Sequence, residues 1–452
     1  MEKQLEQKVL ARIRPDTEET GRIESAAAEV ARRVEAVAPR YEGQAGGLIR
    51  PVLVGSVAKG TFLKEADVDL FMTFPVSAPR EVLEKVGLSI GKEVLDEPIV
   101  KYAEHPYMRG KMGGVNVDLV PCYAITDPSM KMSAVDRTPF QSDYVNRNMQ
   151  IFQRDEVRLL KRFFKGIGVY GAEAKVSGFS GYLCELLIMN YVTFISTIQA
   201  ISQWTSGEMI QIPGTALGEK LTSSDALLTL PDPVDGDRNV AAALGANPFS
   251  TAVIASRRFL KKPEMRFFFP RDPVSATVAE IRRKMKETGH GLLLLRLDRA
   301  EVVDDNLYPQ IQKARRNIAA LLEKNGFEVN RSVYNAGKDI RILFELRNSF
   351  NPQSWLREGP AGWSENSSAF IDKHRRAGGT ISLIDGILYS EEEKPFGSPA
   401  DLLREGMGKL SLGADLDKLK RTATVHGGDE VVTAANREIL SSLLFPSFPW
   451  ER

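Results

Sequence analysis

VLVGSVAKGTFLKEADVDLFMTF, residues 52–74, joins a short apolar run to a Gly-Ser turn, and then to a second apolar run that opens on two aspartates. Arg50–Val54 reads as a buried strand that delivers Gly55-Ser56 into a turn, and Val57 onward can begin a helix. Glycine lets the backbone approach a partner closely, and exposed N–H groups with the Ser56 hydroxyl suit phosphate oxygens at a helix N-terminus. An ordinary turn would show the same pattern. Asp67 and Asp69 carry more information. On a strand, residues two apart point to one face, so both carboxylates project together while Val68 and Leu70 pack behind. Aspartate is disfavoured in strands, and two such charges repel by up to about 4 kcal/mol at about 4 Å with an effective dielectric of about 20. A divalent cation would turn that repulsion into binding; two solvated acids on an exposed strand are the alternative.

GGVNVDLVP, residues 113–121, reads as a further strand, with Val115, Val117 and Leu119 on one face and Asn116 and Asp118 on the other. If this strand neighbours the first, Asp118 becomes the third carboxylate of a cluster. The four histidines, His105, His290, His374 and His426, are scattered. A catalytic metal must therefore be held by oxygen, which favours magnesium or manganese over zinc. Three acids beside a Gly-Ser turn describe a two-magnesium phosphoryl-transfer site.

The rest of the chain bounds this reading. Its 452 residues exceed one ordinary domain and suggest about three. A hydrophobic content of 43% with 26% charged residues supports real cores and excludes a disordered chain. A net charge of +1 does not mark a nucleic-acid binder, though local patches stay open. Cys122 and Cys184 lie far apart without a CxxC, which speaks against a disulfide framework or a thiolate zinc site and fits a reducing cytoplasm. No stretch reaches the ~18 uncharged apolar residues that cross a bilayer. The most apolar segment, Gly181 to Ile201, carries Glu185 and Asn190 and reads as a buried helix. The N-terminus mixes both charges and is no secretory signal. Periodicity predicts helices over residues 1–40 and over most of Asp155–Leu260, with a Pro-, Asp- and Ser-rich loop at Thr222–Asp237. GLLLLRL (291–297) reads as a strand, YPQIQKARRNIAALLEKNG as an amphipathic helix, and DIRILFELR alternates like a half-buried strand. The fold expected is α+β and multidomain, ending in an α+β part of ribonucleoprotein-like topology.

The order apolar–Gly–Ser, ten residues, Asp–apolar–Asp, then a distant strand aspartate resembles the nucleotidyltransferase superfamily of DNA polymerase beta. More narrowly, GSVAKGTFLKEADVDLFMTFP, DRTPFQSDYV, RLLKRFFKGIGVYGAE, KVSGFSGYLCELLI and DPVDGDRNVAAAL, in this order, resemble the archaeal-type, class I CCA-adding enzymes, which are tRNA nucleotidyltransferases. The likeness is strong over residues 1–260 and weaker beyond. It implies a polymerase-beta-like catalytic head with N-terminal helices (1–145), a helical neck that binds nucleotide (146–262), and a C-terminal tRNA-binding body and tail (263–452).

The resemblance also implies roles. Asp67, Asp69 and Asp118 would hold two Mg2+ ions, and the tRNA 3′-hydroxyl would attack the α-phosphate of CTP or ATP. Gly55, Ser56 and Lys59 would grip the triphosphate, with Lys161 and Tyr170 as a second gripping pair and Thr138 and Gln141 beside them. Members of the family often carry histidine at the position of Gln141 and arginine at that of Lys59. Arg238 would help read the Watson–Crick edge of the base, with Asp237 orienting it. Each has a plainer alternative: solvated lysines, a tyrosine packed on a helix end, a surface arginine. Lys313, Arg315, Arg316, Arg341 and Arg347 are candidate contacts to the tRNA acceptor stem and T arm. A homodimer stays open, and no membrane is involved. Two other readings remain: a poly(A)- or oligoadenylate-forming transferase using ATP alone, and a catalytically silent RNA-binding scaffold. Three mutually repelling aspartates argue against the scaffold.

Overall fold

The computed structural model describes residues 2–452 apart from 103–104, 216–217, 219–220, 222–224, 349, 351–353 and 394–395. It forms two compact units, Met1–Asp272 with Phe448–Arg452, and Pro273–Ser447.

The first unit has two large cores. One is built on a sheet of β1 (Arg50–Val54), β2 (Val68–Phe74), β3 (Asp96–Tyr102), β4 (Pro106–Met112) and β5 (Val115–Tyr123), in the order β1-β2-β5-β4-β3. Only β2 and β5 run parallel. The helices Thr17–Val37 and Arg80–Val94 bring Ile23, Val30, Val34, Leu83 and Ile90 onto Leu70, Met72, Val117 and Leu119 of the sheet. Helix Thr17–Val37 starts where Asp16 accepts a hydrogen bond from the Glu19 N–H at 2.8 Å, which satisfies an otherwise unpaired donor.

The other core is helical. Phe163, on helix Gln153–Gly166, is surrounded by Phe164, Phe194, Phe259, Phe267 and Phe268, with ring centroids 5.4 to 6.2 Å away. Phe267 in turn stacks on Trp450 at 5.6 Å. Residues 263–272 and 448–452 thus pack with this unit, whereas a sequence division after residue 262 places them with the C-terminal part. The apolar run from Gly181 to Ile201 also differs from its expectation. It is two helices, Gly181–Tyr191 and Phe194–Ile201, bent by 99°. Val192 takes a left-handed φ of 72° and Thr193 caps the second helix by accepting from the Ser196 N–H. Gln153 donates to Ile188 O at 3.0 Å, and Glu156 accepts from the Phe194 N–H at 2.7 Å, so the break leaves these polar groups paired. Among the described residues no single helix is long and apolar enough to cross a membrane.

Of the loop expected over residues 222–237, residues 222–224 lie outside the described residues. From Leu228 on, the chain is ordered into short strands. β6 (Glu208–Met209) pairs with β7 (Leu228–Thr229), and β8 (Pro231–Asp232) forms a hairpin with β9 (Asp235–Asn239). Asn239 locks the hairpin, accepting from the Leu230 and Ala241 N–H groups and donating to Leu228 O.

In the second unit, β10 (Gly291–Asp298), β11 (Val329–Ala336), β12 (Asp339–Leu346) and the later β16 (Thr424–Gly427) form one antiparallel sheet in the order β11-β12-β10-β16, while β13 (Ser354–Ala361), β14 (Thr380–Ile384) and β15 (Ile387–Glu393) form a second sheet in the order β13-β15-β14. With helix Asp304–Lys324 after β10 and helix Pro399–Gly406 before β16, the first sheet has the βαββαβ order of a ribonucleoprotein-like fold. β12 corrects its expected half-burial. Ile340, Ile342, Phe344 and Leu346 join Ile311, Ile318 and Leu322 in one core, and Leu343 joins Ile281, Ile439 and Leu440 in another. Both faces are covered, the second partly by a helix about a hundred residues further along the chain. Phe163→Ala would remove the centre of the aromatic cluster and is expected to lower stability by about 3–5 kcal/mol, read as a shift in urea denaturation of the full chain.

Candidate active site

The site begins at the turn after β1. Gly55 has φ 71°, in the left-handed region, and a Cβ placed there would fall 2.0 Å from Asp69 Oδ2. Only a residue without a side chain lets β1 lie this close to the aspartate it pairs beside, since Val54 is in register with Asp69. Asp69 in β2 is in turn in register with Asp118 in β5, and Asp67 sits just before β2. The sheet thus brings the three expected carboxylates together on the wall of a cleft of about 320 Å3. Ser56, Lys161 and Tyr170 line the same cleft.

Arg109 enters this cluster from β4, opposite Asp118. Its Nε and Nη2 each donate to Asp118 at 2.6 Å, and Nη2 also donates to Asp67 Oδ2 at 3.0 Å; Asn116 donates to Asp67 Oδ1 at 3.1 Å. Among the described residues, no group of three or more His, Cys, Asp or Glu side chains is arranged, as it stands, to hold a metal ion. Arg109 occupies three oxygens of Asp118 and Asp67. The donor set still fits a hard divalent cation, because it is all oxygen and has drawn a positive group among its acids. Burial, followed by the charges of Asp118 and Asp67, pushes the Asp69 carboxyl up to about 6 against the pull of Lys59 and Arg109. The two neighbours raise the Arg109 guanidinium, chiefly through its hydrogen bonds to Asp118.

Lys59 is placed differently from Lys161. It does not line the cleft, and its buried ammonium donates to Glu185 Oε2 at 2.6 Å, the carboxylate that the cleft-lining Lys161 and Thr61 also reach. Lys161 donates to Glu185 Oε1 at 3.1 Å and to the Thr61 hydroxyl at 3.0 Å, and Thr61 donates to Glu185 Oε1 at 2.6 Å. Burial alone would raise Glu185, but Lys59 and Lys161 overcome it and hold the carboxyl at about 2. Lys165, one turn beyond Lys161, also lines the cleft, with its ammonium 5.3 Å from the Tyr170 ring centre. Burial and the charges of Arg162 and Lys161 lower its pKa. Arg158 ties this helix to the turn, donating to Gly60 O at 2.7 Å and Phe62 O at 2.8 Å.

Gln141 and Arg238 meet elsewhere, on one fully buried carboxylate. Gln141 Nε2 donates to Asp232 Oδ2 at 2.6 Å and Arg238 Nη1 donates to the same oxygen at 2.8 Å. Asp232 is an acid that Arg238 reaches directly. Thr138 is half-buried at the start of helix Thr138–Asn148. In the second unit Lys313, Arg316 and Arg347 are exposed, Arg315 donates to Ser332 Oγ at 3.0 Å, and Arg341 is engaged by Asp339 and Ala435 O.

Arg109, Glu185, Lys165 and Asp232 were not among the residues singled out by sequence. For Glu185 a signal existed: a carboxylate inside the apolar run CELLIMN needs a buried partner. Arg109 gave none, since its meaning depends on the β4–β5 register.

Three family models match the chain: the nucleotidyltransferase domain over residues 44–141, the second domain of tRNA nucleotidyltransferase over 155–269, and the C-terminal domain of CCA-adding enzyme over 288–428. The CCA-adding enzyme of Thermoplasma volcanium is 36% identical over 427 residues, covering 94% of this chain and 93% of its own length. That of Archaeoglobus fulgidus is 36% identical, covering 88% of each chain. That of Methanothermobacter thermautotrophicus is 34% identical, covering 98% of each.

Two outcomes follow from the geometry. Gly55→Ala is expected to cost at least about 1–2 kcal/mol from the left-handed backbone alone, with the clash on Asp69 added, read by chemical denaturation. Asp69→Asn has a pH signature. A raised carboxyl binds its proton more tightly in the folded state, so its contribution to stability falls as pH rises from about 4 to about 6. In metal-free protein, Asp69→Asn should then be more stable than the parent by on the order of 2–3 kcal/mol at pH 7.5, with the gain vanishing below about pH 4, measured by melts at both pH values.

Proposed function

The chain belongs to the family of CCA-adding enzymes, nucleotidyltransferases that build C, C and A onto tRNA 3′ ends from nucleotide substrates with divalent metal, and we propose how its own residues carry that reaction. One observation supports the proposal most: Asp69 faces Asp118 across parallel strands, with Asp67 beside them, on a cleft also lined by Ser56, Lys161 and Tyr170. Asp67, Asp69 and Asp118 hold the divalent ions, as Mg2+, which suits carboxylate oxygen. The chemistry supplied by bound ions is activation of the tRNA 3′-hydroxyl and neutralisation of the charge that gathers on the transferring α-phosphoryl group. Gly55 and Ser56 form the turn beside the phosphates. Lys161 and Lys165 bring positive charge to the cleft that the acids line, and Tyr170 backs Lys165. Lys59 acts at one remove, fixing Glu185 and through it Lys161. Arg109 keeps Asp118 and Asp67 in register by its own charge.

Arg238 reads the base. Cytosine and adenine both present a ring-nitrogen acceptor beside an exocyclic amine, where uracil and guanine present a ring N–H. A fixed guanidinium donor therefore accepts the first pair and opposes the second. Gln141 serves the same end of the nucleotide, because its amide is committed to the carboxylate that holds Arg238. We assign nucleotidyl transfer to the head (1–145) and nucleotide holding to the neck (146–262). The acceptor stem and T arm fall to the C-terminal part, where Lys313, Arg316 and Arg347 are the exposed cations suited to phosphates. The cytoplasm suits the buried free cysteines Cys122 and Cys184, whose thiols burial pushes up.

Incubation with tRNA lacking its terminal CCA, magnesium and each labelled triphosphate tests the reading. Incorporation of CTP and then ATP, stopping at three residues, is expected; tailing with ATP alone would assign a poly(A)-type activity, and no incorporation a silent scaffold. Asp67→Ala and Asp118→Ala should each lower incorporation by roughly a hundred- to a thousandfold or more while filter binding still detects tRNA capture. Substantial activity in either variant would overturn the metal assignment.

A further inference from the structure

Asp232 is fully buried, and both of its oxygens are occupied. Oδ2 accepts from Gln141 Nε2 at 2.6 Å and Arg238 Nη1 at 2.8 Å; Oδ1 accepts from the Tyr182 hydroxyl at 2.9 Å and the Val234 N–H at 3.1 Å. The donors come from three separate places: helix Thr138–Asn148, helix Gly181–Tyr191, and the hairpin that carries Asp232 itself. The hairpin is pinned a second time, where Asp235 accepts from Lys131 at 2.7 Å and Arg137 at 3.1 Å. A carboxylate with four donors and no exposed surface has nothing left to offer a ligand. Arg238 does, because about a third of its side chain (32%) remains exposed while Nη1 is held below.

We propose that Asp232 is the positioning residue for base selection: it fixes the plane and rotation of the Arg238 guanidinium, so that its outward donors meet a ring-nitrogen acceptor of cytosine or adenine and cannot turn to suit uracil or guanine. The inference rests on the reading of Arg238 as the base contact. An arginine side chain is long and has many rotamers, and a donor that can swivel discriminates poorly, because each base finds some partner for it. Anchoring one end of the guanidinium to a buried anion removes that freedom before substrate arrives. Tyr182 and Gln141 make the anchor stiff by holding Asp232 from two helices at once. Tyr182 also lies 5.6 Å beneath the Lys59 ammonium, so the base end is braced against the buried lysine pair.

The test compares kcat/KM for CTP with UTP, and for ATP with GTP, on tRNA acceptors ending before the nucleotide concerned. Asp232→Asn keeps the shape and removes the charge. Its preference for CTP over UTP should fall about ten- to a hundredfold, with kcat for CTP changed far less. Arg238→Ala should show a similar fall, and the double variant no further one, as expected when one residue acts through the other. Tyr182→Phe, which leaves the ion pair but loosens it, should give a smaller fall in the same ratio and serves if Asp232→Asn does not fold. A uniform loss with all four nucleotides, or an unchanged ratio in both Asp232→Asn and Tyr182→Phe, overturns the proposal. If Arg238→Ala itself leaves the ratios intact, the reading of Arg238 fails instead; if Arg238→Ala relaxes selection and Asp232→Asn does not, only the positioning role fails.

Discussion

Asp69 and Asp118 stand side by side because the one parallel pairing in the head sheet forces them there. Left alone, two such carboxylates would part or take up protons, and Asp69 is indeed pushed toward holding one. Backbone hydrogen bonds of β2 and β5 prevent the first response, and the Arg109 fork softens the second. Much else around the cleft answers to this constraint. Gly55 has no side chain because Asp69 occupies the space, β1 can approach because Gly55 yields it, and the turn that follows inherits its place from both.

Two buried anions then tie together segments of the first unit that are far apart in the chain. Glu185 gathers Lys59 and Thr61 from the turn and Lys161 from helix Gln153–Gly166. Asp232 gathers Gln141, Tyr182 and Arg238. A buried ion pair contributes little net stability, but leaving one partner unpaired is costly, so such networks fix geometry more than they add free energy. One network lies behind the cleft wall at Lys161 and Thr61, and the other is centred on the hairpin that carries Asp232. Glu185 holds Lys59 and Lys161 in set positions, the latter on the wall of the cleft, and Asp232 does the same for Arg238.

How much was legible in the sequence follows from how local each signal is. Asp67, Asp69 and Asp118 could be read because strand alternation and apolar neighbours are local, and because carboxylates on such strands need a reason. β10, the helix after it and β12 were legible for the same reason, whereas β11 between them was not read from the sequence. Arg109 was not, since it matters only through its register with Asp118. Nor was the double burial of β12, because helix Arg437–Leu444 arrives from far along the chain. The break at Val192 was hidden by a continuous apolar run, whose capping by Thr193 and pairing by Gln153 are tertiary facts. Lys59 looked like a surface or phosphate lysine until Glu185 supplied a buried partner.

Direct titration with Mn2+, followed by the loss of its free electron-paramagnetic-resonance signal, addresses the carboxylate cluster without recourse to turnover. The parent chain should take up the ion, and Asp69→Asn or Asp118→Asn should each weaken uptake by more than about tenfold, since each removes an anionic oxygen donor from a hard-cation site. Equal affinity in the parent and both variants would mean that the paired strands do not gather these acids for metal, and the account of the site would be contradicted at its base.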